Sequence, residues 1–348
     1  MIRRFGRRIS VSESSSPALV KGGAEQALTT VQEVPSRAPG PGEVLLRIEA
    51  CGLCGSDVHA WRGDPGYEWV RTPVVMGHET VGVVSAVGAG TDPSWIGRRV
   101  VPLGIDGCHD CALCAAGTPQ ICPDREVMGL SFDGGCASST TVSADRLIEV
   151  DAEAPARRMT LTEPMSVASR AVRRLGEVSP GARVVVSGPG PIGLFSAWLL
   201  SRRGVDVVLT GTASDEAIRL PAARRLGIRT MRADQAEFDG PVGAWIEASG
   251  SVPGFRQAVR TVIPGGRLVV VALFPRDPEL EINTMVRGEI DVVGSYSSLR
   301  EDYLLAATAL AEAEGFEDVV TTAFPLTEAV AALEATASGR VVKAVLEP

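Results

Sequence analysis

Histidine is scarce in this chain, three residues in 348, and the aromatic types Phe, Trp and Tyr make only 5%. Positive charge is in deficit: 34 Lys and Arg against 42 Asp and Glu leave a formal charge of −8. That balance argues against nucleic acid as a partner of the whole surface, though it leaves room for a local patch. Cysteine is sparse and odd in number, seven residues, which excludes a disulfide scaffold. One uncharged run, Val184 to Ser201, reaches the length of a membrane-span candidate. It contains Ser187-Gly188-Pro189-Gly190-Pro191, and two Pro among two Gly would break a spanning helix. The run reads instead as a buried strand, Arg183–Ser187, a turn, and a helix from about Ile192 to Arg203, so no membrane partner is expected. The first sixteen residues hold four Arg and one Glu with no apolar stretch after them. They read as a flexible tail rather than a secretory signal, although a transit peptide shares their Arg- and Ser-rich composition. What is present, 45% apolar and 22% charged residues, is ordinary for a globular protein and excludes disorder and collagen-like repeats. At about 150 residues per domain, the length predicts two domains.

The pattern changes along the chain. Up to about residue 160 it is rich in Gly, Pro and short Val runs, such as Glu43–Ala50, Thr80–Val87 and Arg99–Pro102, the signature of short strands between turns. From about 180, strand-like runs (Val184–Ser187, Val205–Thr210, Ala244–Glu247, Arg267–Ala272) alternate with helical ones, among them Glu216–Leu226 and Phe255–Val262. Alternation of this kind predicts a parallel, doubly wound α/β sheet. The end departs again, with helices near Glu301–Glu314 and Thr327–Ala337 and a last strand Val341–Leu346.

Gly188-Pro189-Gly190-Pro191-Ile192-Gly193 has the Gly-x-Gly-x-x-Gly spacing, directly after a Val-rich strand and at the start of a helix. That context is what a dinucleotide fingerprint requires. Gly188 allows the tight turn, Gly190 the approach of the pyrophosphate, and Gly193 the packing of helix on strand; the helix N-terminus then offers amide donors to the phosphates. The second strand ends at Thr210 and Gly211, where a ribose-binding carboxylate is usual. Gly211 cannot hold a ribose diol. Thr212, Ser214 and Arg219 could contact a 2′-phosphate instead, while Asp215 and Glu216 between them could bind a ribose or repel a phosphate. The balance favours NADP slightly over NAD.

Cys108, Cys111, Cys114 and Cys122 place four thiols on one short stretch. Four thiolates fit a closed, structural zinc site, and the spacing alone also allows an iron–sulfur cluster. An acidic intracellular protein disfavours disulfides there. Cys51 and Cys136 read as buried small hydrophobes. A second constellation is Cys51-Gly-Leu-Cys54-Gly-Ser-Asp-Val-His59, followed by Gly77-His78-Glu79 and later Thr162-Glu163-Pro164. With so few histidines, two in such motifs point to chemistry. One Cys, one His and a carboxylate suit a zinc ion that keeps a position open.

These segments together (CGLCGSDVH, GHETVGVV, the four-Cys lobe, EPMSVA, VVVSGPGPIG and VVKAVLEP) resemble the zinc-dependent medium-chain dehydrogenase/reductase superfamily, in particular its sorbitol dehydrogenase-like branch, from about Ala18 to Pro348. The resemblance implies an α/β protein made of a GroES-like β-rich catalytic domain (17–163 and 300–348) and a Rossmann NAD(P)-binding domain (164–299), behind a tail of residues 1–16. It implies two zinc ions per chain. The catalytic ion would be held by Cys54, His78 and Glu163, with Glu79 as an exchanging ligand; the structural ion would be held by Cys108, Cys111, Cys114 and Cys122. Ser56 matches the hydroxyl that touches the substrate oxygen and His59 the outer end of a proton relay, with Asp57 behind them. The chain departs from the family at Gly211 and at Gly134-Gly135-Cys136-Ala137-Ser138-Ser139, where an aromatic commonly follows the two Gly.

The implied activity is hydride transfer between NAD(P) and a secondary alcohol of the polyol, sugar-alcohol or cyclitol type, reversible to the ketone. A threonine 3-dehydrogenase-like activity on an amino alcohol is the alternative, and an inactive zinc-binding protein of the same fold is a second. A homodimer or homotetramer in the cytoplasm is expected.

Overall fold

The computed structural model describes residues 15–178 and 181–348. Val184, Val185 and Val186 have no exposed surface. A β-branched run buried on both faces belongs in the middle of a parallel sheet. That is where the strand Arg183–Ser187 lies. The sheet runs in the order Arg229–Arg232, Val207–Gly211, Arg183–Ser187, Val242–Glu247, Val262–Val270, Asp291–Gly294, with every neighbouring pair parallel. Strand order reverses beside Arg183–Ser187, and a ligand crevice is expected outside the carboxyl ends at such a switch point.

The N-terminal part builds antiparallel sheets. The strand Glu43–Gly52 is their centre, pairing with Glu79–Val87, Ser139–Ser143 and the late strand Lys343–Glu347. Val345 lies opposite Gly52 and Leu346 opposite Cys51, so the end of the chain returns to the β-rich part. A smaller sheet joins Ser15–Lys21 to Thr29–Pro35 and Val74–Val75. Its first strand begins inside the segment expected to be a tail: Ser15 pairs with Pro35 and Ser16 with Val34, so backbone pairing orders these two serines. The rest of that segment lies outside the described residues.

The helix Thr162–Leu175 joins the two parts. Its Ala168, Ala171 and Val172 share one core with Leu194 and Ala197 of the helix Pro191–Arg202 and with Tyr303, Ala306 and Leu310 of the helix Arg300–Ala311. Beneath it, Arg158 makes two hydrogen bonds, 2.7 and 3.1 Å, to buried Glu317. The helix expected over Glu216–Leu226 is broken at Ile218 into a 3-10 turn, Ala213–Ala217, and an α-helix, Arg219–Arg225. The cause is a cap: Asp215 bonds back to Thr212 and starts the chain on a separate turn. No helix among the described residues is long and apolar enough to cross a membrane.

Candidate active site

The strand Glu43–Gly52 leads through Leu53 into the helix Gly55–Arg62. Cys54 is the N-cap of that helix, and Asp57 accepts a hydrogen bond from the Cys54 backbone N at 2.8 Å. This fixes Cys54 at the mouth of the helix and Asp57 beneath it, fully buried. His78 and Glu79 arrive from the other side, after Gly77 with φ +94°. A Cβ on Gly77 would lie 2.4 Å from the Cys136 sulfur and 2.6 Å from the Cys51 sulfur, so only glycine turns here. The two cysteines read as buried small hydrophobes are indeed buried and are neighbours in space, Sγ to Sγ 3.6 Å, packed under this turn.

The turn brings donor atoms of Cys54, His78 and Glu79 within 4.8 Å of one another. Ser56 Oγ stands 3.4 Å from His78 Nε2, and Asp57 Oδ1 lies 3.6 Å from His78 Nδ1. A carboxylate behind the far ring nitrogen is how metal-ligating histidines are oriented. Buried Glu79 Oε2 has no hydrogen-bond partner among the described residues. Buried polar atoms are rarely left so, and a cation beside it, reached also by His78 Nε2 and the Cys54 sulfur, answers the need. Burial pushes the Asp57 carboxyl up and the Glu163 carboxyl up to about 7. The donor set, one thiol, one imidazole and buried carboxylates, fits zinc.

Glu163 is not one of the three clustered donors. It sits buried in the first turn of Thr162–Leu175, with Oε1 3.5 Å from the position a Cβ on Gly104 would take. Lys343 was not anticipated. Its ammonium, almost wholly buried, donates to Glu79 Oε1 at 2.5 Å and to the Leu53 carbonyl at 2.9 Å. Its burial alone would draw a proton off, but the Glu79 carboxylate and the Cys54 sulfur hold its pKa above the ordinary lysine value. A lone cation in the apolar run VVKAVLEP was the signal for it. His59 lies at the rim, half exposed, with Nδ1 2.7 Å from Asp64 Oδ2 and its ring stacked on Tyr67.

The sulfurs of Cys108, Cys111, Cys114 and Cys122 also lie within 4.8 Å of one another. The lobe leaves the domain on a two-stranded ribbon, Ile105–Asp106 with Glu126–Val127. The Cys114 backbone N–H draws the Cys111 thiol down to about 7, toward the thiolate a metal needs. Four sulfurs without an open position make a closed, structural donor set.

In the parallel sheet, a cavity of about 970 Å³ opens at the switch point. Gly188, Gly190, Gly211, Thr212, Ser214 and Arg219 line it. Pro191, Ile192 and Gly193 do not; they form the first turn of the helix behind it. A Cβ on Gly193 would sit 1.9 Å from the Gly188 carbonyl oxygen, whereas one on Gly190 would meet nothing within 4 Å. Gly193 is therefore required by packing, and Gly190 leaves open space where a pyrophosphate would approach. Buried Glu247 stiffens the floor, accepting from Ser249 N at 2.7 Å and Gly250 N at 2.9 Å, and from the Ser187 hydroxyl.

Residues 40–152 match the Alcohol dehydrogenase GroES-like domain family and residues 156–347 the Glucose dehydrogenase C-terminus family. The chain belongs to the zinc-dependent medium-chain dehydrogenase/reductase superfamily and is an NAD(P)-linked oxidoreductase of its alcohol and polyol type. It is 31% identical to a sorbitol dehydrogenase of Halalkalibacterium halodurans, covering 95% of this chain and 99% of that one. An L-threonine 3-dehydrogenase of Anaeromyxobacter dehalogenans is 28% identical, over 95% and 98% of the two chains. A dehydrogenase of the zinc-binding class from Sinorhizobium meliloti 1021, solved bound to NADP, superposes with a TM-score of 0.86 at 25% identity, over 96% of this chain and 100% of that one.

Proposed function

We propose that the chain oxidises a secondary alcohol of the polyol, sugar-alcohol or cyclitol type with NAD(P), and reduces the ketone in reverse. The cluster of half-buried Cys54 with buried His78 and Glu79, backed by Asp57, carries this reading. Cys54, His78 and Glu163 hold the catalytic zinc in this proposal, with Glu79 as the donor that exchanges because Lys343 claims one of its oxygens. When bound, the zinc supplies Lewis acidity to an alcohol oxygen and the nicotinamide takes the hydride.

The chain's own residues manage the proton. Ser56 Oγ, beside His78 Nε2, accepts it from the alcohol. His59 is the outer end of this relay, and a bound cofactor's ribose hydroxyl would lie between the two side chains. Asp64 accepts from His59 Nδ1–H, which leaves Nε2 as the basic nitrogen at the solvent edge. Burial around Glu163 and Asp57 excludes water from the reacting face. Gly188, Gly190 and the amides of Pro191–Arg202 beyond its proline hold the pyrophosphate, and Thr212, Ser214 and Arg219 border the adenosine end. Residues 17–163 and 300–348 form the catalytic domain around 164–299. Two chains associate through the open edge strand Asp291–Gly294, where Leu280, Ile282, Val286 and Val292 are exposed.

The test is nicotinamide absorbance with a panel of polyols, threonine and primary alcohols, alongside zinc content. Turnover of polyols that is lost in His78→Ala supports the proposal. Turnover of threonine alone would move the substrate class to amino alcohols. No turnover with any substrate would sink it.

A further inference from the structure

We propose that Asp215 supplies the carboxylate that reads the adenosine ribose of the cofactor, in place of the missing strand-end acid, and so gives the enzyme a preference for NADH over NADPH. The inference rests on the dinucleotide reading of the crevice given above.

In dinucleotide-binding sheets the second strand ends on an acidic residue that holds the ribose hydroxyls. Here the strand Val207–Gly211 ends on glycine. A Cβ on Gly211 would lie 2.8 Å from Pro189 Cγ and 3.2 Å from Asp215 Oδ2. Pro189, Leu220 Cδ2 at 3.1 Å and the Asp215 carboxylate thus together close the space that a side chain on residue 211 would enter. The glycine that on sequence favours NADP is, in three dimensions, the opening that admits Asp215.

The carboxylate is held in place before any ligand arrives. Thr212 N and Thr212 Oγ1 both donate to Asp215 Oδ2 at 2.8 Å. Asp215 Oδ1 makes no hydrogen bond among the described residues; Arg219 Nη1 faces it at 3.7 Å. Asp215 lines the cavity, and this oxygen is the acceptor it offers a ribose hydroxyl. The surroundings do not compensate a 2′-phosphate. Four arginines line the cavity and each already faces an acid: Arg219 faces Asp215, Arg232 donates to Asp234 at 2.9 Å, Arg256 to Glu279 at 3.3 Å and Arg260 to Glu281 at 3.0 Å. A doubly charged phosphate in reach of Arg219 would lie against the Asp215 carboxylate, and two anions in a partly buried pocket repel.

Titration of the intact protein with NADH and NADPH, followed by nicotinamide fluorescence, tests this. The wild type is expected to bind NADH at least about tenfold more tightly, the scale of one charged hydrogen bond. Asp215→Asn keeps an acceptor for Thr212 and is expected to lose about tenfold in NADH affinity, with NADPH binding unchanged or improved. A wild type that binds NADPH as tightly as NADH, or an Asp215→Asn variant with the wild-type ratio, overturns the proposal. If the variant fails to fold, the wild-type ratio decides it. Failure of the wild type to bind either nucleotide would instead remove the dinucleotide reading beneath it.

Discussion

Lys343 and Glu79 are 264 positions apart and meet inside the site. Neither the ammonium nor the carboxylate has access to water, so each depends on the other. Removing one partner of a buried pair typically costs about 3–5 kcal/mol. Lys343→Met should therefore lower the thermal midpoint sharply in calorimetry. In cobalt-loaded protein its visible spectrum should change, because Glu79 is then free to approach the metal. An unchanged midpoint and spectrum would mean that Lys343 does not control Glu79. His78→Ala should halve the metal content measured by atomic emission, leaving the four-Cys site loaded. At this scale the sequence is informative where constraints are local. Cys54, His78 and Glu79 stand in tight motifs, and Gly188, Gly190 and Gly193 serve one turn. Lys343 stands out as a lone cation in an apolar run, but its pairing with Glu79 is not legible because nothing near residue 79 in the chain foretells its arrival. Asp215 was visible as one of several acids, but its pointing into the Gly211 space depends on a cap that only coordinates reveal.

The four-Cys lobe is a short excursion supported by two strands of two residues each. Little apolar burial holds it: Cys108 is exposed, and Leu113 and Ile121 also face solvent. The ligand bonds must do what a core would do elsewhere. Cys111→Ser should make this stretch the first site of cleavage in limited proteolysis and should lower the soluble yield. The fraction that remains folded should keep the wild-type kcat. A lobe as resistant as the wild type would show that it does not need its metal. Strand and helix positions were largely legible from period-two and Val-rich patterns, as at Arg99–Pro102, which matches the observed strand. The break at Ile218 was not, because the helical pattern of Glu216–Leu226 continues through it while the Thr212–Asp215 cap overrides it.

The core around the helix Thr162–Leu175 and the pair Arg158–Glu317 both tie distant parts of the chain together. Arg158 and Glu317 are both nearly inaccessible and bond twice. Glu317→Gln leaves a buried guanidinium short of its counter-charge and should destabilise by about 3 kcal/mol, read as a shifted denaturant midpoint with an unchanged slope. Association is read at the same scale: Val292→Lys places a charge on the open sheet edge and should reduce the mass seen by light scattering to that of one chain. An unchanged mass would move the interface elsewhere.

The strand Lys343–Glu347 has a further consequence for biosynthesis. Its partner strand Glu43–Gly52 leaves the ribosome long before it, and the entire parallel sheet is made in between. Until the late strand arrives, the edge of Glu43–Gly52 at Cys51 and Gly52 is unpaired and Glu79 lacks its ammonium. The nascent protein therefore carries its metal donors for most of its synthesis without the residue that disciplines them. On the proposed ligand set, the catalytic ion would reach its final geometry only after this last strand is in place, whereas the four sulfurs of the lobe all emerge within one short stretch.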